Sequence, residues 1–150
     1  MKSRTRRWLT LFGISIRTPF DYKGFMARVL IVEDAFDGTE ALSKFLTKAG
    51  HDVRSVVNGK EALAAVLDTT PDVILLDLLL PELDGPTFLE IIRSYLRLYS
   101  LPVVILTGLP DSPMTERVRS LRINSILVKG RASLEDIRAA IENAVGRAPM

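Results

Sequence analysis

Five polar side chains stand directly after short apolar segments of this sequence, in positions where they could act together. If those segments are parallel β-strands, their carboxyl ends meet at one edge of a sheet. That edge would then hold three carboxylates, a hydroxyl and an ammonium, delivered by four different strands. The residues are Glu33, Asp34, Asp77, Thr107 and Lys129.

This combination of groups suits phosphoryl transfer. Crowded carboxylates repel one another unless a cation compensates, and Mg²⁺ is the natural cation because it prefers carboxylate, water and phosphate oxygens. Asp77 could then act as the nucleophile and form an acyl phosphate. Lys129 would neutralise charge on the transferring group, and Thr107 would hydrogen-bond a phosphoryl oxygen.

Five short apolar segments predict the strands that would position these groups. Three of them are continuous apolar runs, as expected of parallel strands that are covered on both faces. Segments with helical periodicity lie between them, which predicts right-handed βαβ units and an α/β fold with a doubly wound, five-stranded parallel sheet. The predicted strands lie at 29–32, 53–57, 73–76, 103–106 and 126–128.

Helical periodicity predicts five helices, of which the fourth, near 113–121, is the most polar. The third is expected to open with Pro86, a residue suited to the first turn, and the last to begin after Ser133. The side chains expected to be buried are Phe88, Leu89, Ile92 and Leu96 in the third helix and Leu134, Ile137 and Ile141 in the last.

The composition excludes several other kinds of chemistry. The chain has no cysteine, so it has no disulfides, thiolate metal sites or thiol nucleophile. Its apolar runs are far shorter than the roughly 18 residues of a membrane-spanning helix, and a cytoplasmic protein without a membrane span is expected. Residues 28–150 carry 14 basic and 17 acidic residues, so direct binding of nucleic acid is not expected.

Residues 1–27 differ from the rest in charge, with six basic residues and one acid. Their arginine cluster and apolar run resemble the start of a signal peptide, but the run is short and no small-residue cleavage pattern follows. A surface-bound amphipathic segment would need a sustained helical periodicity. We expect a basic extension that is disordered or loosely docked, then one domain at 28–150. No further domain is expected after the last helix, because few residues follow it.

Two other features are expected to be structural. His51 has no ligand partner at a metal-binding spacing and is expected to be half-buried. Asp84 and Gly85 form a turn signal that needs no functional role. Any single acid at the end of a strand could likewise be only a helix cap, so the prediction of a site depends on the joint placement of all five groups.

Four segments resemble bacterial response-regulator receiver domains, in the same order and at similar separations. The resemblance covers about 28–145 and implies a flavodoxin-like fold with sheet order 2-1-3-4-5. It also implies a phosphohistidine donor on a histidine kinase or phosphotransfer protein. The segments are 28–34 (RVLIVED), 72–85 (DVILLDLLLPELDG), 102–108 (PVVILTG) and 126–129 (ILVK).

The resemblance implies a role for each site residue. Asp77 corresponds to the phosphoacceptor, and Thr107 and Lys129 correspond to the residues that contact the phosphoryl group. The implied magnesium ligands are Asp77, Asp34, Glu33 through water, and the backbone carbonyl of Leu79.

Two positions depart from the family pattern. Receivers usually have a cis proline after the lysine, where this chain has Gly130. A cis bond without proline costs about 2.5–4 kcal/mol, so the bond is either trans or held cis at that cost. Receivers also carry tyrosine or phenylalanine where this chain has Ile126, and isoleucine cannot present the same swinging ring.

We therefore expect a single-domain response regulator that signals through a phosphorylation-dependent protein contact, as a monomer or a phosphorylation-dependent dimer. It would not be an enzyme beyond self-catalysed phosphoryl transfer and hydrolysis. An alternative is a receiver-like binding module that phosphorylation does not switch, which Gly130 and Ile126 favour. An unrelated enzyme on the same fold would need a phosphate-binding glycine loop or a nucleophile after the first strand, and 35–38 supplies neither.

Overall fold

The computed structural model describes residues 8–11, 14–17, 26–34 and 36–146. The strands, in chain order, are β1 (Trp8–Leu11), β2 (Ile14–Arg17), β3 (Arg28–Val32), β4 (Asp52–Val56), β5 (Val73–Asp77), β6 (Val103–Thr107) and β7 (Ser125–Val128). The helices are α1 (Phe36–Lys48), α2 (Gly59–Asp68), α3 (Gly85–Arg93), α4 (Pro113–Arg119) and α5 (Leu134–Gly146), with a 3₁₀ turn at Leu96–Leu98 between α3 and β6.

Five of the strands form one parallel sheet in the order β4-β3-β5-β6-β7. This order is 2-1-3-4-5 when only these strands are counted, so the predicted flavodoxin-like α/β fold is confirmed. The register pairs Asp77 with Leu106 and Thr107 with Val128. The carboxyl ends of β5, β6 and β7 therefore meet at one edge of the sheet, and Lys129 follows directly after β7.

Apolar side chains cover both faces of this sheet, in two separate clusters. Alternate residues of one strand point to opposite faces. Leu30 and Val32 of β3 therefore belong to the cluster with α2, α3 and α4, whereas Val29 and Ile31 belong to the cluster with α1 and α5. Burial on both faces explains why the central strands are continuous apolar runs.

The third helix is shorter than predicted. Pro86 lies in its first turn, as expected, but α3 ends at Arg93, and the hydroxyl of Ser94 donates a hydrogen bond to the carbonyl of Ile91 at 2.5 Å. The prediction that Leu96 is buried is wrong, because the 3₁₀ turn leaves its side chain 94% exposed. Leu98 of the same turn is fully buried instead.

The last helix begins where predicted, but its first apolar residue faces outward. The hydroxyl of Ser133 accepts a hydrogen bond from the backbone N–H of Asp136, and Asp136 accepts one from the N–H of Ser133. Such reciprocal bonds form a capping box. Ile137 and Ile141 are buried as expected, but Leu134 is 39% exposed, so its predicted burial is wrong.

The sole histidine of the sequence is buried more deeply than predicted, with 4% of its surface exposed. His51 Nδ1 accepts a hydrogen bond from the backbone N–H of Ala27 at 3.1 Å, and Nε2 lies 3.0 Å from a carboxylate oxygen of Glu142. Because Nδ1 accepts, the ring proton lies on Nε2 and is donated to Glu142. His51 thus joins the start of β3 to α5.

Part of the N-terminal extension has regular structure. β1 and β2 pair in antiparallel register, with Trp8 opposite Arg17, a pairing that the prediction of a disordered or loosely docked segment did not include. The rest of 1–25 and residues 147–150 lie outside the described residues. None of the helices in the described part of the chain has the length and apolar character needed to cross a membrane.

Candidate functional site

Three carboxylates converge at the carboxyl edge of the sheet. Glu33 and Asp34 follow β3, and Asp77 is the last residue of β5. Each offers an oxygen that lies within 4.8 Å of the other two. Glu33 and Asp77 are buried, whereas Asp34 is exposed, so the cluster opens to solvent on the side of Asp34. The structure thus brings together the three acids that the sequence predicted.

An ammonium compensates the charge of the two buried acids. Lys129 Nζ lies 2.8 Å from Asp77 Oδ2 and 2.8 Å from Glu33 Oε2. The backbone N–H of Lys129 also donates to the carbonyl of Thr107 at 2.8 Å, which fixes the start of the side chain beside β6. Partial burial opposes the charged form, but hydrogen bonds to Asp77 and Glu33 prevail and raise the pKa of Lys129 above its usual value.

The start of α3 packs directly behind Asp77. Asp77 Oδ1 accepts a hydrogen bond from the N–H of Leu79 at 3.2 Å, and the N–H of Gly85 donates to the carbonyl of Leu78 at 2.9 Å. A Cβ on Gly85 would lie 2.6 Å from the Cα of Leu78 and 2.7 Å from the carbonyl oxygen of Asp77. Only glycine permits this approach, so Gly85 helps to shape the site.

The residue before Gly85 begins this helix. Asp84 Oδ1 accepts a hydrogen bond from the N–H of Thr87 at 2.7 Å, which makes Asp84 the N-cap of α3. The predicted turn at Asp84 and Gly85 is therefore a helix cap together with a close backbone contact. Sequence alone could not separate these roles from an ordinary turn, because the contact with β5 is not local.

Thr107, the last residue of β6, is the site residue that this strand contributes. Its side chain is buried, and its hydroxyl accepts a hydrogen bond from the N–H of Leu109 at 3.0 Å. A cavity of about 200 Å³ lies beside it and reaches Asp77 and Lys129. Further residues that line this cavity are Leu79, Leu109, Ser112 and Met114.

The contribution of α4 to the site is not evident from the sequence. Ser112 caps this helix by accepting a hydrogen bond from the N–H of Thr115, and Met114 of its first turn lines the cavity. The fully buried Thr115 donates its hydroxyl proton to the carbonyl of Leu109 at 2.8 Å. Serine followed by proline is a helix-start signal that could have located this turn, but not its closeness to Asp77.

Lys129 contacts Asp77 although the bond that joins it to Gly130 is trans. No peptide bond among the described residues is cis, and Gly130 has φ = +85°, which L side chains rarely adopt. The departure from the proline pattern therefore leaves the Lys129 contact in place. Ile126, the second departure, is partly buried and packs against the cluster formed with α2, α3 and α4.

The donor set of this cluster suits a hard divalent cation. All three acids offer oxygen atoms, the ligands that Mg²⁺ prefers, and among the described residues no histidine joins them. Mg²⁺ commonly binds through one or two carboxylates and keeps several waters, and the exposed Asp34 leaves room for such waters.

Sequence comparison identifies the class of domain to which this parallel sheet, with acids at its carboxyl edge, belongs. The family model for the response regulator receiver domain matches residues 29–142. The chain belongs to this family, whose members act as phosphoacceptors in two-component signalling. The fold and the family thus agree with the resemblance of the four sequence segments.

Individual relatives support the same assignment. The protein-glutamate methylesterase/protein-glutamine glutaminase of Archaeoglobus fulgidus is 34% identical over 126 residues, which cover 82% of this chain and 35% of that protein. The chain spans between 15% and 56% of the lengths of four further curated relatives. It is thus similar to one part of these larger proteins.

Solved structures are similar over most of the chain. The signal receiver domain of a signal transduction histidine kinase from Syntrophus aciditrophicus is 28% identical with a TM-score of 0.73, covering 80% of this chain and 90% of that one. The Mn²⁺-bound form of response regulator Rcp1 is 27% identical with a TM-score of 0.65, covering 77% of this chain and 88% of that one.

Proposed function

We propose that Asp77 accepts a phosphoryl group from a phosphohistidine on a histidine kinase or phosphotransfer protein. The observation that carries this proposal is the pairing of Asp77 with Lys129 beside two further carboxylates, all within one edge of the sheet. Asp77 lines the cavity of about 200 Å³, and the ammonium of Lys129 lies beside its carboxylate.

In the transfer, a carboxylate oxygen of Asp77 forms a bond to phosphorus while the bond between phosphorus and the donor imidazole nitrogen breaks. The imidazole keeps the electron pair of that bond and takes up a proton. Lys129 stabilises negative charge on the phosphoryl oxygens, and the hydroxyl of Thr107 can donate a hydrogen bond to one of them. Hydrolysis would later transfer the phosphoryl group to water and restore the carboxylate.

A divalent cation at this site is part of the proposal. Asp34, Asp77 and the backbone carbonyl of Leu79 would hold Mg²⁺ directly, and Glu33 would hold it through water. When bound, Mg²⁺ would supply positive charge that offsets the negative charge of the carboxylates and the phosphoryl oxygens. The structure of the similar response regulator Rcp1 in an Mn²⁺-bound form supports the binding of a divalent cation.

The output would be a protein contact that depends on phosphorylation, in a monomer or a phosphorylation-dependent dimer. The hydrogen bonds from Leu109 to Thr107 and from Thr115 to Leu109 connect the phosphoryl position to α4. A displacement of the Thr107 side chain would therefore alter the hydrogen bonds that hold the first turn of α4. A swing from 1:99 to 99:1 between two states needs about 5.5 kcal/mol of differential stability.

Intact-mass spectrometry tests the proposal directly. The full chain is incubated with Mg²⁺ and acetyl phosphate, beside Asp77→Asn and the control Asp111→Asn, which removes an exposed acid outside the site. We expect a phosphoryl adduct on the wild type and on the control variant but not on Asp77→Asn. A phosphoryl adduct on Asp77→Asn would mean that another residue accepts the phosphoryl group.

The alternative is a receiver-like binding module that phosphorylation does not switch. Ile126 favours it, because isoleucine on β7 cannot rotate a ring between two positions. Hydrogen exchange in α4, compared between the phosphorylated and the unphosphorylated chain, distinguishes the two proposals. If the wild type is labelled but hydrogen exchange in α4 is the same with and without the phosphoryl group, the unswitched module is the better account.

A further inference from the structure

An exposed surface of apolar and cationic side chains lies between α3 and β6. Leu96 is 94% exposed, and Tyr95 and Tyr99 on either side of it are each 45% exposed. Leu96 and Tyr99 lie three residues apart, the spacing at which side chains of a 3₁₀ turn stand over one another. Contiguous exposed apolar patches rimmed by polar residues mark interaction sites when they are large. We call this group, together with Arg97 and Arg122, the Leu96 surface.

The Leu96 surface is cationic. The guanidinium of Arg122 lies over the ring of Tyr99, 4.4 Å from its centre, and Arg97 is exposed within the 3₁₀ turn. In the part of the chain that the structure describes, neither arginine forms an ion pair with a carboxylate. The sequence from 91 to 110 contains no acid. Both charges are therefore available to a partner.

A buried arginine holds the Leu96 surface in place. Arg93 donates hydrogen bonds to the carbonyls of Leu98 and Leu101 at 2.7 and 2.8 Å, and to those of Leu121 and Arg122 at 2.8 and 3.3 Å. One guanidinium thus ties the loop that carries Tyr99 to the loop that carries Arg122. Burial and the nearby charge of Arg122 lower the pKa of Arg93 to about 10, so it remains charged at neutral pH. A surface fixed in this way loses little conformational entropy when it binds.

The surface is far from the carboxylate site. It precedes β6 and β7 in the chain and so lies at their amino ends, whereas Asp77, Thr107 and Lys129 lie at the carboxyl ends of the sheet strands. A partner at the Leu96 surface would not cover the cavity beside Asp77.

We propose that the Leu96 surface docks an acidic protein segment. The segment would place an apolar side chain against Leu96 and Tyr99 and its carboxylates on Arg97 and Arg122. Tyrosine and arginine are among the residue types enriched in the positions that contribute most binding energy at protein–protein interfaces. Two free arginines are few for nucleic acid or for an anionic membrane, which require larger clusters of basic residues.

Selection from a random 12-residue peptide library on the immobilised full chain tests this proposal. We expect the enriched peptides to combine Asp or Glu with Leu, Phe or Trp. Synthetic copies, measured by fluorescence anisotropy, should bind Leu96→Ser and Arg97→Glu at least tenfold more weakly than the wild type. The matched controls are Leu67→Ser and Arg54→Glu, which change an exposed leucine and an exposed arginine elsewhere and should bind like the wild type.

The variants are first checked by thermal melting, since Leu96 and Arg97 are exposed and their replacement should leave the fold intact. Enriched peptides without acids, or binding that both substitutions leave unchanged, would overturn the proposal. The proposal would also be overturned if a 20-nucleotide single-stranded DNA, or vesicles with anionic lipid, bound the full chain more tightly than the peptides do. In that case Arg97→Glu should weaken the binding of the DNA or the vesicles. A concentration-dependent dimer that Leu96→Ser abolishes would identify a second copy of the chain as the occupant instead.

Discussion

Lys129 lies 2.8 Å from Asp77, on a side chain that also reaches Glu33. One ammonium therefore compensates two carboxylates that are almost completely buried. Any cation that enters the cluster must share these carboxylates with Lys129. The stability of the folded chain and its affinity for divalent cations should consequently depend on the same residue.

Replacement of Lys129 by methionine should destabilise the protein and increase its response to magnesium. Removing one partner of a fully buried ion pair costs about 3–5 kcal/mol, and Lys129 is partly exposed, so we expect about 1–3 kcal/mol. Millimolar Mg²⁺ should restore part of this loss by binding only the native state. Urea unfolding with and without Mg²⁺ measures both effects, with Lys44→Met as the exposed control.

The difference between wild type and Lys129→Met should also depend on pH. Because the pKa of Lys129 is raised in the folded state, its stabilisation is fully present below the usual value of 10.5 and falls as the pH rises through the folded value. A difference that stays constant up to and beyond that range, or a Mg²⁺ response equal in both proteins, would contradict this account of the site.

Replacement of Gly130 by alanine should cost about 1 kcal/mol, because its φ of +85° is unfavourable for residues with a Cβ. Gly130→Pro should cost more, since the proline ring fixes φ near −65° and would move Lys129. Gly38→Ala is the matched control, because that glycine lies in α1 with open space around its missing Cβ, and alanine should be neutral or stabilising there. Equal effects of alanine at 38 and 130 in urea unfolding would count against a special backbone at Gly130.

Loss of the α3 cap should lower stability in a way that depends on pH. The slight burial of Asp84 favours the neutral form, but hydrogen bonds from Thr87 and the charge of Arg117 lower its pKa below the usual 3.8. Its stabilisation is therefore present above pH 3.8 and is lost as the pH falls through the folded value. We expect Asp84→Ala to cost about 1 kcal/mol at pH 7.

Asp84→Asn keeps the capping oxygen without the charge and should cost less than alanine at pH 7. Chemical denaturation between pH 2.5 and pH 7 compares the three proteins, with Asp111→Ala as the control for loss of an exposed acid. A loss in Asp84→Ala that is the same at both ends of this range would mean that the carboxylate charge contributes nothing to the cap.

His51 should tolerate asparagine better than phenylalanine. Phenylalanine leaves the buried N–H of Ala27 without its acceptor, which costs about 1–3 kcal/mol. Asparagine places an oxygen near the position of Nδ1 and can keep that bond while losing the one to Glu142. Thermal unfolding at pH 7.5 ranks the variants. Equal losses would mean that shape at position 51 matters more than the hydrogen bond to Ala27.

The central part of the fold could be predicted because its sequence signals are local. The predicted and observed bounds of each strand in the parallel sheet agree to within one residue at either end, since burial on both faces requires an apolar run. The gathering of the acids and Lys129 also followed from local positions, because every one of them lies at the end of a strand. Parallel topology then brings such ends together without further information from the sequence.

Contacts between distant segments could not be predicted in this way. Leu96 continues the helical spacing of α3, and nothing near it in sequence shows that Leu98 is the residue that becomes buried. The reason lies in Arg93, whose hydrogen bonds join carbonyls from two separate loops. The close approach of Gly85 to β5 is likewise invisible until the sheet and helix are placed together.

That close approach has a mechanical consequence. With no side chain on Gly85, the first turn of α3 rests directly on the backbone of Asp77 and Leu78, so there is no compressible layer between helix and strand. A force applied to Asp77 by a new covalent group cannot be absorbed locally on this side. A phosphoryl group on Asp77 would therefore have to be accommodated by the free volume of the cavity that Leu109 and Met114 line.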